Sequence, residues 1–285
     1  MRLSALAVVA AASTAAASKP FVVLHGIGDD CSNRGMKNFV TDLQDQLPGV
    51  YGTCVEAGGT MDSWFTTMET QVEKACSIIN QDENYADGYN IVGLSQGNLV
   101  ARGLIESCDG PPVSAYVSLG GPHMGVASMP DCSTGIICDM VNGFIDAGVY
   151  LSLAQNNVAP ANYFCDPKDY DKYLEKCNFL PDIDNQKDDK SDDYKTRFSS
   201  LTQLTLVKFE DDQVLDPRET SWFGFYELGG KDSIVTMKDQ DLYKEDWIGL
   251  RTLDESGRVE LVSQPGQHLN ITDSLITDTI VPALQ

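Results

Sequence analysis

Histidine is scarce in this sequence, with three in 285 residues, and no paired C-x-x-C occurs. A metal centre built from histidine and thiolate is therefore not the reading these residues favour, and no metal or organic cofactor is expected. Basic residues are also few: 20 Lys and Arg stand against 42 Asp and Glu, for a net charge of −22. That balance argues against nucleic acid and anionic membrane surfaces as partners. It suits solubility in a secretory or acidic compartment, where carboxylates partly protonate and repel each other less. Beyond the first residues there is no apolar run long enough to span a bilayer. Internal repeats are absent as well.

What is present begins with Met1-Arg2, an alanine-rich apolar run and Ala15-Ala16-Ala17. A basic start, a short apolar core and a small-residue site predict a secretory signal peptide over residues 1–18. Residues 19–285 then suffice for a single α/β domain. The cysteine count is even, at 8, so disulfides are expected in that compartment. Asn270-Ile271-Thr272 is a glycosylation sequon.

Phe21–Leu24, Tyr89–Leu94, Ala115–Leu119 and Leu204–Phe209 read as apolar strands, and Met61–Asn80 reads as a helix. Continuous apolar strands alternating with helices predict a mostly parallel, doubly wound sheet. Residues 131–200 are richer in Asp, Asn, Lys and Tyr and read as a helical insertion over that sheet. The strand Tyr89–Leu94 runs into Gly93-Leu94-Ser95-Gln96-Gly97, and an amphipathic segment follows. Strand, G-x-S-x-G and helix together describe a nucleophile elbow, with Ser95 at its apex.

A serine hydroxyl needs a base. In α/β-hydrolases the chain order is serine, acid, histidine. Of His25, His123 and His268, only His268 follows the serine with room for an acid between. His25 is read as supporting a loop and His123 as a hydrogen-bonded structural histidine. Asp211, Asp212 and Asp216 compete for the acid, since all follow the strand ending at Phe209. Asp216 is favoured because Pro217 biases its predecessor towards extended backbone, with Asp212 its main rival. Ile27 and Gln96 are the expected oxyanion donors through their backbone N–H groups.

At this point the chain resembles the palmitoyl-protein thioesterases, in particular their soluble lysosomal branch. The resemblance is carried by HGIGDDCSN from His25, GYNIVGLSQGN from Gly88, SLGGPHMGV from Ser118, VKFEDDQVLDP from Val207, SWFGFYELG from Ser221, DLYKEDWIGL from Asp241 and GQHLNI from Gly266. It implies an α/β-hydrolase fold in which residues 131–200 form the acyl-binding insertion. It matches Ser95 to the nucleophile, Asp216 to the acid, His268 to the base, and Ile27 and Gln96 to the oxyanion donors. The implied reaction removes long-chain acyl groups from S-acylated cysteines of proteins or peptides, and from acyl-CoA, in the lysosome, the vacuole or outside the cell. A lipase acting on oxyesters is the alternative, and a non-catalytic lipid-binding module a more distant one. By position the resemblance implies disulfides Cys76–Cys108 and Cys132–Cys138. The family's adjacent cysteines are Cys31 and Ser32 here, so that bridge cannot form, and Cys31–Cys54 and Cys165–Cys177 are expected in its place.

Overall fold

A computed structural model describes residues 18–128 and 148–285. Residues 1–17 of the expected signal peptide and the expected Cys132–Cys138 pair lie outside the described residues. Six strands form one sheet: β1 (Phe21–Leu24), β2 (Gly52–Cys54), β3 (Tyr89–Leu94), β4 (Val113–Leu119), β5 (Gln203–Phe209) and β8 (Val259–Gln264). Their order is β2-β1-β3-β4-β5-β8, and every neighbouring pair is parallel. A separate antiparallel pair joins β6 (Phe225–Tyr226) and β7 (Ile234–Val235).

The strands are apolar throughout because both faces of the sheet are covered. Alternation divides their side chains between two cores. Val22, Ile91, Tyr116 and Leu204 pack with Met68, Val72 and Leu104 on one face. Val23, Val92, Val117 and Val207 pack with Phe39, Leu43 and Ile280 on the other. The first core thus takes helices α3 (Met68–Gln81) and α4 (Gly97–Glu106), and the second takes α1 (Arg34–Gln46). This is the expected doubly wound α/β-hydrolase architecture.

The single helix expected over Met61–Asn80 is instead two. α2 (Asp62–Phe65) ends where Thr66 turns extended, and Thr67 then caps α3 by accepting the Thr70 N–H. Two successive β-branched threonines, the second a good N-cap, explain the break. Between β4 and β5 the described residues are helical in short pieces, including Ala159–Tyr163, Tyr170–Lys176, Leu180–Ile183 and Asp192–Ser199. No helix among the described residues is long and apolar enough to cross a membrane.

Disulfides join Cys31 to Cys54 and Cys76 to Cys108, as expected. The expected Cys165–Cys177 pair is not formed, and both are buried free thiols. Cys177 Sγ is turned onto the Asn162 carbonyl, at 3.1 Å. Burial pushes the Cys177 thiol up to about 12 and the Cys165 thiol well above its ordinary range, so neither is a ready thiolate.

Candidate active site

Ile27, Ser95, Gln96 and His268 follow the carboxyl ends of β1, β3 and β8, where open α/β sheets hold their sites. Ser95 follows β3 with φ at +50°, a left-handed conformation that a non-glycine residue seldom adopts. Its neighbours make the turn sterically possible. A Cβ on Gly97 would stand 2.3 Å from the Leu24 carbonyl oxygen, and one on Gly93 would stand 2.3 Å from Asn98 Oδ1. The Ser95 N–H donates to Leu119 O at 2.9 Å, while Asn98 Nδ2 donates to the Ser95 carbonyl at 3.0 Å. The apex is thereby tied to β4 on one side and to the first turn of α4 on the other.

Ser95 Oγ lies 2.9 Å from His268 Nε2, and His268 Nδ1 lies 2.6 Å from Asp212 Oδ2. An ionised carboxylate only accepts, so Nδ1 carries the ring proton and Nε2 is left to accept from the serine. The Asp212 side chain is completely buried. Its other oxygen accepts the N–H groups of Val214 and Leu215 at 2.8 and 3.1 Å. The loops are joined directly as well: the Asp211 N–H donates to Gly266 O at 2.9 Å, and the Glu210 N–H to Gln264 O at 2.9 Å.

The carboxylate that meets His268 is therefore Asp212, and not Asp216 as expected. Asp216 faces away from His268 and binds the Tyr226 hydroxyl and, at 2.7 Å, Lys231 Nζ. Burial opposes its ionisation, but hydrogen bonds from Lys231, Tyr226 and Ser128 outweigh this and hold its carboxyl below the usual range. Its backbone carbonyl accepts the Ala127 N–H at 2.6 Å. Asp216 thus fastens the β6–β7 hairpin and the loop after β4 to one another. The argument from Pro217 fixed a backbone conformation and not the direction of a side chain. The available signal was the Asx turn that Asp212 opens immediately after the strand.

The other two histidines take structural positions. His25 Nε2 pairs with Glu56 Oε1 at 2.8 Å. His123 is fully buried, bonded through Nε2 to Ser118 Oγ at 2.8 Å and stacked on Phe223 at 4.5 Å. Burial, then the charge of Arg102, lowers its pKa well below the ordinary value, so it stays neutral. His25, Cys31 and Glu56 come close enough to suggest a cation site among the described residues. The Cys31 sulfur is consumed by its bond to Cys54, and the histidine and the carboxylate satisfy each other.

Ile27 follows β1 and Gln96 follows the serine, and among the described residues neither backbone N–H has an intramolecular acceptor. Two free donors beside a serine, an imidazole and a buried carboxylate are the parts that acyl transfer requires. Sequence reading overlooked three further features beside the site: Ser63 beneath the Gln96 side chain, Tyr163 bonded to that side chain, and the buried cluster of Arg102, Glu106 and Asp184.

Sheet, elbow and hydrogen-bonded serine define the chain as an α/β-hydrolase-fold protein. The family model described as palmitoyl protein thioesterase matches residues 20–268. Palmitoyl-protein thioesterase 1 of Caenorhabditis elegans is 38% identical over 92% of this chain and 90% of its own length. Palmitoyl-protein thioesterase 3 of Dictyostelium discoideum is 35% identical over 89% and 86%. Lysosomal thioesterase PPT2-B of Xenopus laevis is 30% identical over 87% and 85%. Among solved structures, an alpha/beta hydrolase fold protein from Nakamurella multipartita superposes with a TM-score of 0.48 at 14% identity, covering 94% of this chain and 92% of that one. The chain belongs to the palmitoyl-protein thioesterase family and is a thioester hydrolase.

Proposed function

We propose that this enzyme removes long-chain acyl groups from S-acylated cysteines, and from acyl-CoA, through an acyl-enzyme on Ser95. The observation that carries this reading is the unbroken hydrogen-bond chain from Ser95 through His268 to Asp212. His268 takes the Ser95 proton as Oγ attacks the thioester carbonyl, and Asp212 stabilises the imidazolium that forms. The carbonyl oxygen becomes an oxyanion facing the N–H groups of Ile27 and Gln96, where one donor contributes about 3 kcal/mol. The tetrahedral intermediate collapses, the C–S bond breaks, and the cysteine sulfur leaves as a thiol with the proton that His268 returns, which restores a neutral imidazole. His268 next activates water, which releases the fatty acid and frees Ser95. With a thiol pKa of about 8.5, the leaving group needs little acid assistance.

The segment 131–200 is assigned to the acyl chain. Burial of methylenes supplies roughly 0.8 kcal/mol each, so long chains outcompete short ones. Acylated proteins are the partners this implies. The relatives' names and the two disulfides support delivery through the secretory pathway to an acidic organelle. Asn270, exposed on the His268 loop, is assigned as a glycan acceptor.

The test is hydrolysis of palmitoyl-CoA and an S-palmitoyl peptide beside their matched oxyesters, from pH 4 to 8, with Ser95→Ala as control. Thioester turnover that vanishes in the variant is the expected result. Preferential cleavage of the oxyesters would transfer the assignment to a lipase. Equal kcat/KM for acetyl and palmitoyl thioesters would remove the acyl-chain assignment.

A further inference from the structure

One buried residue holds both segments that carry the oxyanion donors. Ser63 is 1% exposed and lies in α2. Its hydroxyl accepts the Gly28 N–H at 2.8 Å and donates to the Thr60 carbonyl at 2.8 Å. Its carbonyl accepts the side-chain amide of Gln96 at 2.8 Å. Gly28 directly follows Ile27, the first donor, and Gln96 supplies the second. The two oxygens of Ser63 therefore fix, from opposite sides, the loop after β1 and the residue after the nucleophile. Gln71, itself buried, backs this arrangement by donating to the Thr66 carbonyl at 2.8 Å while its Oε1 lies 3.3 Å from Gln96 Nε2. The far side of the Gln96 amide accepts the Tyr163 hydroxyl at 2.9 Å, which reaches in from the turn Ala159–Tyr163 between β4 and β5.

We propose that Ser63 is a positioning residue of the oxyanion hole, setting the convergence of the Ile27 and Gln96 N–H groups on one point. The inference rests on the acyl-transfer reading above. A preorganised hole works only if its donors are fixed before charge develops. The β1 loop needs such support, since it contains Gly26 and Gly28, and Gly28 sits at φ +77°. Glycine imposes little on the backbone by itself. With Ser63 buried, no bulk water replaces its hydroxyl when that group is removed. Because Tyr163 holds the other end of the Gln96 amide, the same network joins the hole to the segment assigned to the acyl chain.

Ser63→Ala tests this by deleting the Gly28 acceptor while leaving the Ser63 carbonyl in place. Four quantities are compared with wild type: kcat and KM on a palmitoyl thioester, affinity for a long-chain trifluoromethyl ketone, and affinity for palmitate. The ketone adds Ser95 Oγ to its carbonyl carbon, passes the serine proton to His268 and leaves its oxygen in the hole. The expected result is a kcat lower by about 10-fold with KM within about two-fold. Ketone affinity should fall by the same factor and palmitate affinity should hold. Gln96→Met, which keeps the backbone donor but releases the Ser63 carbonyl, gives a second measurement if Ser63→Ala folds poorly. Unchanged kcat and ketone affinity would overturn the proposal, as would an equal loss of palmitate affinity. If the wild type binds the ketone yet leaves thioesters intact, the function assigned above fails while the ketone comparison still reports on Ser63.

Discussion

Asp212 spends one oxygen on two backbone N–H groups and turns the other to His268, whereas Asp216 is bound by Lys231 and Tyr226. The two variants should separate accordingly. Asp212→Asn keeps the shape but presents the wrong partner to His268 Nδ1, so kcat should fall about 10³- to 10⁴-fold. Asp216→Asn should keep kcat within about three-fold, because no reacting atom is touched. Steady-state rates on a palmitoyl thioester decide this, and the reverse ranking would restore Asp216 as the acid. Ser95, Gln96, His268 and Ile27 were legible because a motif, a chain order and a strand end each pointed to one residue. The acid was not, because Glu210, Asp211, Asp212 and Asp216 share one loop and only the turn after Phe209 selects among them.

Helix α4 is unusual as an element, since all its residues from Gly97 to Glu106 are buried. It nevertheless carries Arg102 and Glu106, which pair with each other at 2.5 Å, and Asp184 adds a second carboxylate at 2.9 Å. One guanidinium cannot neutralise two buried carboxylates, so the cluster retains a proton. Burial outweighs the attraction of Arg102 and pushes Glu106 up to about 8 and Asp184 up to about 6. Arg102 itself is raised, the two carboxylates overcoming its own desolvation. A carboxyl that binds its proton more tightly when folded loses stability as pH rises from its unfolded to its folded pKa. For Glu106 that window runs from 4.5 to about 8. The neighbouring His123 works in the opposite direction, since a histidine kept neutral by burial loses stability below its unfolded pKa of 6.5. Tyr116 and Tyr194 are raised above 10.0 and do not titrate in the window. Comparing Glu106→Gln with wild type isolates the glutamate. The variant should match wild type in Tm near pH 5 and exceed it at pH 8, and a uniform loss at both would mean that Glu106 is ionised throughout. Charged residues four apart on an otherwise apolar helix were a visible signal that the sequence reading did not use.

Across the whole molecule, the strands recognised in advance are the ones buried on both faces, where the apolar run has no competing explanation. β2 was missed because three residues carry no period, and β8 because it forms a half-exposed edge. The long-range staples are easier to quantify than the sheet. Cys76–Cys108 closes 32 residues and ties the middle of α3 to the turn after α4. Loop-closure entropy gives such a link about 3.5 kcal/mol. The double variant Cys76→Ala/Cys108→Ala should lose roughly that much unfolding free energy in denaturant and still label with a fluorophosphonate at Ser95. Loss of labelling under native conditions would instead make that bridge part of the site's support.

His268 is delivered by the loop after β8, and β8 docks on the edge of the sheet beside β5, across a wide sequence separation. During synthesis Ser95 and Asp212 therefore emerge long before His268. A nascent chain that has not yet released Val259–Gln264 holds an elbow with no proton acceptor, so the hydrolase stays silent until its final strand is in place. Fluorophosphonate labelling of stalled chains of increasing length would show reactivity appearing in one step, as β8 and the loop behind it clear the ribosome.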